Sequence, residues 1–149
     1  TGRGRGGGRP CDGDDERRRQ WHQEHLHSRF QDAAKQLGDV AAPVRIAGAL
    51  SMARVADDWE AERQTCVDVL CAYYRMPLDK SDQGERLVRR VILSEILRRL
   101  SIESPNSWSD CFIGIDPLDD DIGTVAECVH QGVECSVGLT RRDFCPFHN

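Results

Sequence analysis

The chain has 149 residues, 39% of them apolar and 30% charged, with a net charge of -5 and a pI near 5.5. These totals match one globular domain with a modest core, and no run approaches the roughly 18 consecutive apolar residues of a membrane-spanning helix. The acidic balance argues against a general affinity for nucleic acid or anionic lipid, which normally shows as a basic excess.

The chain opens on Thr1 and has no apolar h-region over residues 1–10, so it reads as a fragment or processed product without a signal peptide. Glycine, arginine and a single proline make up the rest of that stretch, with no side chain able to bury surface. A flexible arm is expected. Arg-Gly tracts in such arms bind RNA in some proteins, but Asp12, Asp14, Asp15 and Glu16 follow directly and weaken that reading.

From Glu16 the pattern turns helical: Leu26, Phe30, Ala33 and Leu37 fall on one helical face, and Gly38 supplies a stop. A second helix opens at Pro43 and runs to about Ala56. Its stripes are Ile46, Ala49, Leu50, Ala53, Ala56 and Val44, Ala47, Val55, an apolar pattern on two sides that predicts packing between neighbours. Leu50 is expected at the centre of that packing, almost fully buried. Asp57 with Glu60 and Asp82 with Glu85 have the form of capping boxes, so two more helices are predicted from about residues 59 and 84. The third presents Cys66, Val69, Leu70 and Tyr73 and ends before Pro77. The fourth presents Val88, Ile92, Ile96 with Leu93, Leu97, Leu100, and pairs Glu85 with Arg89 and Glu95 with Arg99 on what reads as a solvated face.

The predicted fold is therefore all-α: two antiparallel helix pairs, a HEAT-like or α-solenoid fragment, with a four-helix bundle as the alternative. A helical-repeat domain over 16–103 lies between a disordered Gly/Arg-rich arm over 1–15 and an irregular cysteine-containing tail over 104–149. Every long apolar stripe falls between Trp21 and Leu100, so that stretch is expected to fold without the ends. Asp39, Val44, Arg45 and Leu50 have a spacing that resembles the second helix of a HEAT repeat, with Arg45 available to ladder between repeats.

Two longer runs, Arg29 to Gly38 with Val44 to Asp58, and Arg63 to Pro77, are similar to the helical segment of actinobacterial pentapeptide-repeat-containing proteins. The resemblance lies within residues 29–77 and implies a scaffold whose partner is unidentified. In that family the segment often follows membrane-spanning helices and precedes a quadrilateral β-helix. This chain departs at both ends: no hydrophobic anchor precedes Trp21, and although Trp108 to Asp116 stands where the β-helix would begin, Pro117 and Asp119 to Asp121 interrupt it. No β-helix is predicted.

Catalytic motifs are missing: there is no G-x-S-x-G, P-loop, H-E-x-x-H or dinucleotide fingerprint. Seven cysteines form no even framework and point to free thiols in a reducing, cytoplasmic setting, with Cys66 and Cys71 as small core hydrophobes. Cys128, Cys135, Cys145 and His148 are the candidate metal set, for a Cys3His zinc site, but only Cys145 and His148 have ligand spacing. His22, His25 and His27 read as a solvated cluster and Asp116 with Asp119 to Asp121 as an acidic loop rather than a calcium site. Neither a catalytic residue nor a cofactor is assigned. The expected function is a non-enzymatic protein-interaction or scaffold module, with no sequence-specific nucleic acid among its partners. The alternatives are a nucleic-acid-associated or regulatory protein using the Arg-Gly arm and the arginines at 86, 89, 90, 98 and 99, and a small zinc protein using the tail.

Overall fold

A computed structural model describes residues 12–100 and 106–115. The Arg-Gly tract, the acidic loop at 116–121 and the candidate zinc set Cys128, Cys135, Cys145 and His148 all lie outside the described residues. The described part is all-α as expected, with α1 at Asp12–Leu37, α2 at Ala42–Asp58, a 3-10 turn at Glu60–Glu62, α3 at Arg63–Arg75 and α4 at Gln83–Arg99. None of these helices is long and apolar enough to cross a membrane.

The helix ends follow local chemistry. Gly38 closes α1, its amide donating to the carbonyls of Ala34 and Lys35. Asp39 then accepts the Ala41 amide at 2.8 Å, a local turn that aims the chain into α2, where Pro43 occupies the first turn. Asp82 caps α4 as expected, accepting the Glu85 amide at 2.9 Å. The other expected capping box does not form. Asp57 is still inside α2 and its carboxylate is engaged elsewhere, while Trp59 leaves helical geometry and α3 starts at Arg63 without a side-chain cap. Met76 is extended ahead of Pro77, which ends α3 as the proline predicts.

α1 and α2 form an antiparallel hairpin, since Arg29 bonds Asp58 at 2.7 Å while Gly48 abuts Gln36 and Leu37. A Cβ at position 48 would stand 2.6 Å from the Leu37 amide nitrogen, so only glycine permits this approach. α2 also packs against α3 and α4, which accounts for its two apolar sides. It lies parallel to α4: Ala42 and Arg45 face Gly84 and Glu85, and Asp57 faces Arg99.

The buried face of α2 is rotated from the expected stripe. Gly48, Ala49, Met52, Ala53, Val55 and Ala56 are buried, whereas Ile46 and Leu50 are half-buried and Ala47 is exposed. Leu50 is thus at the edge of the packing, because contact with three neighbours broadens the buried arc toward Gly48 and Met52. Leu50→Ala is therefore expected to cost about 1 kcal/mol, and Leu70→Ala, at a position with no exposure, about 2–5 kcal/mol. Urea melts that rank the two variants the other way would contradict this orientation.

The core does not stop at α4. Trp108, Cys111, Ile113 and Ile115 are buried in the same cluster as the helices. The segment 106–115 forms a strap across α3, held by Gln64, which donates to the Phe112 carbonyl and accepts its amide, and by Arg75, which donates to the Gly114 carbonyl at 2.6 Å.

Candidate functional site

Three places combine chemistry with geometry. The first is a pair of buried ion clusters between the helices. Arg89 and Arg99, expected on a solvated face, are 2% and 6% exposed. The Glu85–Arg89 and Glu95–Arg99 pairs do form, at 2.9 and 2.6 Å, but α4 turns them inward. The arginine surface expected at 86, 89, 90, 98 and 99 is broken accordingly. Besides Glu85, Arg89 donates to the Tyr74 carbonyl, one that the end of α3 leaves unpaired, and to the Pro77 carbonyl just beyond it. Glu85 accepts from Tyr73 Oη at 2.8 Å and approaches Arg45 at 3.4 Å, so it links α2, α3 and α4. Arg45 also donates to the Asp39 and Val40 carbonyls.

At the other end, Arg99 grips Asp57 with Nε and Nη2, at 2.8 Å each for the shortest contacts, and Glu95 with Nη1. Trp108 Nε1 donates to the same Asp57 at 3.0 Å, and the Arg99 guanidinium carbon stands 5.0 Å from the centre of its ring. Burial pulls the guanidinium pKa down, yet its bonds to Asp57 and Glu95 outweigh this and raise it. A closed network of this kind holds elements together; in the Glu85 cluster one buried donor, Arg45 Nε, has no partner.

The second place is a narrow polar cleft of 260 Å³ between α1 and α2, lined by Arg29, Asp32, Gln36, Ser51 and Arg54 among others. Arg29 is already paired with Asp58. Gln36 Oε1 is buried there with no hydrogen-bond donor.

The third is a groove of 360 Å³ lined by His27 and Phe30 of α1, Trp59 at the end of α2, and Glu62 and Thr65 at the start of α3. Phe30 and Trp59 are half-buried, which leaves aromatic surface open at its floor. His27 meets the Trp59 ring edge-on, 6.3 Å between centres and 89° between planes. Glu62 accepts from the Thr65 hydroxyl at 2.8 Å and keeps its other oxygen free for a ligand. Half-buried aromatic surface and an exposed carboxylate thus share one concavity.

Beyond the groove, α1 runs on past the end of its partner. At 1.5 Å per residue its 26 residues span about 39 Å, and no described residue before Leu26 is buried. Its core stripe ends at Leu26, and the preceding turns carry local pairs such as Asp14 with Arg17 and Glu16 with Arg19. The three histidines are not brought together: His25 stacks on Trp21 with centres 5.3 Å apart, His27 pairs with Gln31 and Trp59, and His22 is exposed. No group of three or more His, Cys, Asp or Glu among the described residues is placed to hold a metal.

Cys66, Cys71 and Cys111 are buried free thiols. Burial, aided by Glu62 for Cys66 and Asp110 for Cys111, pushes both thiols from 9.0 to about 11; burial also raises Cys71. The unfolded thiols ionise first, near 9, so their contribution to stability is complete below that pH and is lost as pH rises to about 11. Thiolate is the reactive form. Iodoacetamide at pH 8 should therefore leave Cys66 and Cys111 unlabelled in peptide maps until the protein is unfolded; rapid native labelling at either would contradict their placement.

Phe30 belongs to the core stripe expected of the first helix, whereas Trp59 and Glu62 fall outside every expected site because Asp57 to Glu60 has the form of a cap. The available signal was an aromatic residue set within a polar run, Asp57-Asp58-Trp59-Glu60. The chain matches no protein-family model, and neither a curated protein nor a solved structure matches it.

Proposed function

We propose that this chain is a non-enzymatic protein-interaction module that receives a partner segment in the Phe30–Trp59 groove. The observation that carries the reading is the groove itself: two half-buried aromatic rings in a concavity whose rim holds an available carboxylate, the composition of an interface anchor pocket. The buried arginine–carboxylate clusters support it by tying α2, α3 and α4 into a rigid frame. The parallel course of α2 and α4, with Arg45 and Arg99 bridging toward the neighbouring helix, supports the HEAT-like part of the proposal. Kinship with the helical segment of pentapeptide-repeat-containing proteins belongs to the same proposal and rests on the residues quoted for it. A cytoplasmic setting is supported by the three free thiols.

Quantitative affinity capture with the full chain and with Thr65→Arg tests this. Thr65 is exposed at the groove rim, so the substitution fills the groove without touching the core. A captured protein lost on Thr65→Arg and retained on Arg54→Ala, in the other cleft, is the expected result. Equal capture by all three would overturn the reading, provided thermal melts show both variants folded.

A further inference from the structure

The groove has a chemical preference that narrows its occupant. Its floor is aromatic, and its α3 rim is negative: Glu62 lines it and Glu60 is exposed on the same 3-10 turn. Of the nearby arginines, Arg29 is charge-paired elsewhere, whereas Arg63 keeps its charge but forms no ion pair with Glu62. Arg29 is bound to Asp58 at 2.7 Å, and Arg63 donates through Nε to the Ala56 carbonyl at 3.0 Å. His27, the remaining basic group of the lining, is bonded to Gln31 at 3.0 Å and turned edge-on to Trp59. Glu62 has one oxygen committed to Thr65.

We infer that the groove binds an arginine side chain of a partner polypeptide, its aliphatic stem on Phe30 and Trp59 and its guanidinium on the Glu62 carboxylate. The inference rests on the proposed interaction role and deepens it. Long cationic side chains lay their methylenes on apolar surface while keeping the head in a polar setting, and the face of an indole attracts a cation. Arginine is favoured over lysine because its planar, weakly hydrated head stacks on rings while donating to the remaining Glu62 oxygen. An acidic or phosphorylated segment would meet Glu60 and Glu62 and be repelled. A purely aliphatic segment would cover Glu62 without satisfying it, leaving a desolvated charge.

The test uses the full chain labelled with nitrogen-15 and the peptide Ac-Gly-Leu-Arg-Leu-Gly-amide, compared with the same peptide carrying citrulline or glutamate at the centre. The arginine peptide is expected to shift the Trp59 indole signal, identified by Trp59→Phe, and to leave that of buried Trp108 in place. Citrulline, which keeps the shape but not the charge, should bind about tenfold more weakly, and glutamate more weakly still. Glu62→Gln should reduce affinity for the arginine peptide about tenfold and abolish its preference over citrulline. Equal binding of the three peptides, no Trp59 shift at millimolar arginine peptide, or an unchanged affinity in Glu62→Gln would each overturn the inference. The broader reading fails separately. Loss of the captured protein on Thr65→Arg together with indifference to arginine keeps the groove as an interface and removes its basic occupant. Retention of that protein on Thr65→Arg removes the interface itself.

Discussion

Replacing Asp57 with alanine is expected to destabilise the protein by about 3–5 kcal/mol, because it removes one partner of a buried pair and strands the other. Arg99 is 6% exposed and takes its bidentate contact from Asp57, so without it the guanidinium retains only Glu95 in a poorly solvated site. The same change leaves Trp108 Nε1 without its acceptor. Asp57→Asn separates the two losses, since an amide oxygen can still accept from the indole but brings no charge to Arg99. It should fall between the parent and Asp57→Ala in urea melts. An alanine variant as stable as the parent would mean that the carboxylate is not closing this network.

Trp108→Ala should cost a similar amount, about 3–5 kcal/mol, for a different reason. Its side chain is the largest of those fully buried, and it pins the strap 106–115 to the end of α4, where its amide also donates to the Arg99 carbonyl at 2.7 Å. Deleting it leaves a cavity and exposes the Arg99–Asp57 pair to water. Part of what each substitution removes is therefore shared. The double variant Asp57→Ala with Trp108→Ala should lose clearly less than the sum of the single losses, a coupling of about 0.5–3 kcal/mol. Additive losses in a denaturant series would show that the indole and the carboxylate act independently.

The four helices were legible because their apolar residues recur at helical spacing and their ends carry strong punctuation: Gly38, Pro43, Pro77 and the Asp82 cap. What escaped was set by packing between elements. Glu85–Arg89 and Glu95–Arg99 have the spacing of ordinary surface pairs, and nothing in that spacing tells that α4 turns them toward α2 and α3. Leu50 was misplaced for a related reason. On a helix contacted from three sides the buried arc is set by where the neighbours lie, and it takes in Gly48, Ala49, Met52 and Ala53 while leaving Leu50 at the rim.

The strap is the clearest case of a long-range feature hidden from local reading. Cys111, Ile113 and Ile115 are buried at every second position, the spacing of a short strand, but that spacing does not tell which surface of the helices they cover. Trp59 escaped for the opposite reason. Its neighbours Asp57 and Glu60 fit a capping pattern, but Asp57 is bound by Arg99, forty-two positions further on, and is not available to cap α3. The groove follows from that competition: the chain leaves α2 at Trp59 and turns through Glu60–Glu62 before α3 begins, which sets the indole beside Phe30 and His27 of α1.

Site-specific photo-crosslinking tests the central claim most directly. Benzoylphenylalanine is placed in the full chain at Thr65 on the groove rim and, separately, at Ser94, an exposed position on α4. Irradiation in lysate of the source cells should give a discrete protein adduct from position 65 that is competed by unlabelled parent chain, and none from position 94. Equal adducts from both positions, or none from position 65, would contradict the assignment of the groove as the surface through which this protein binds its partner.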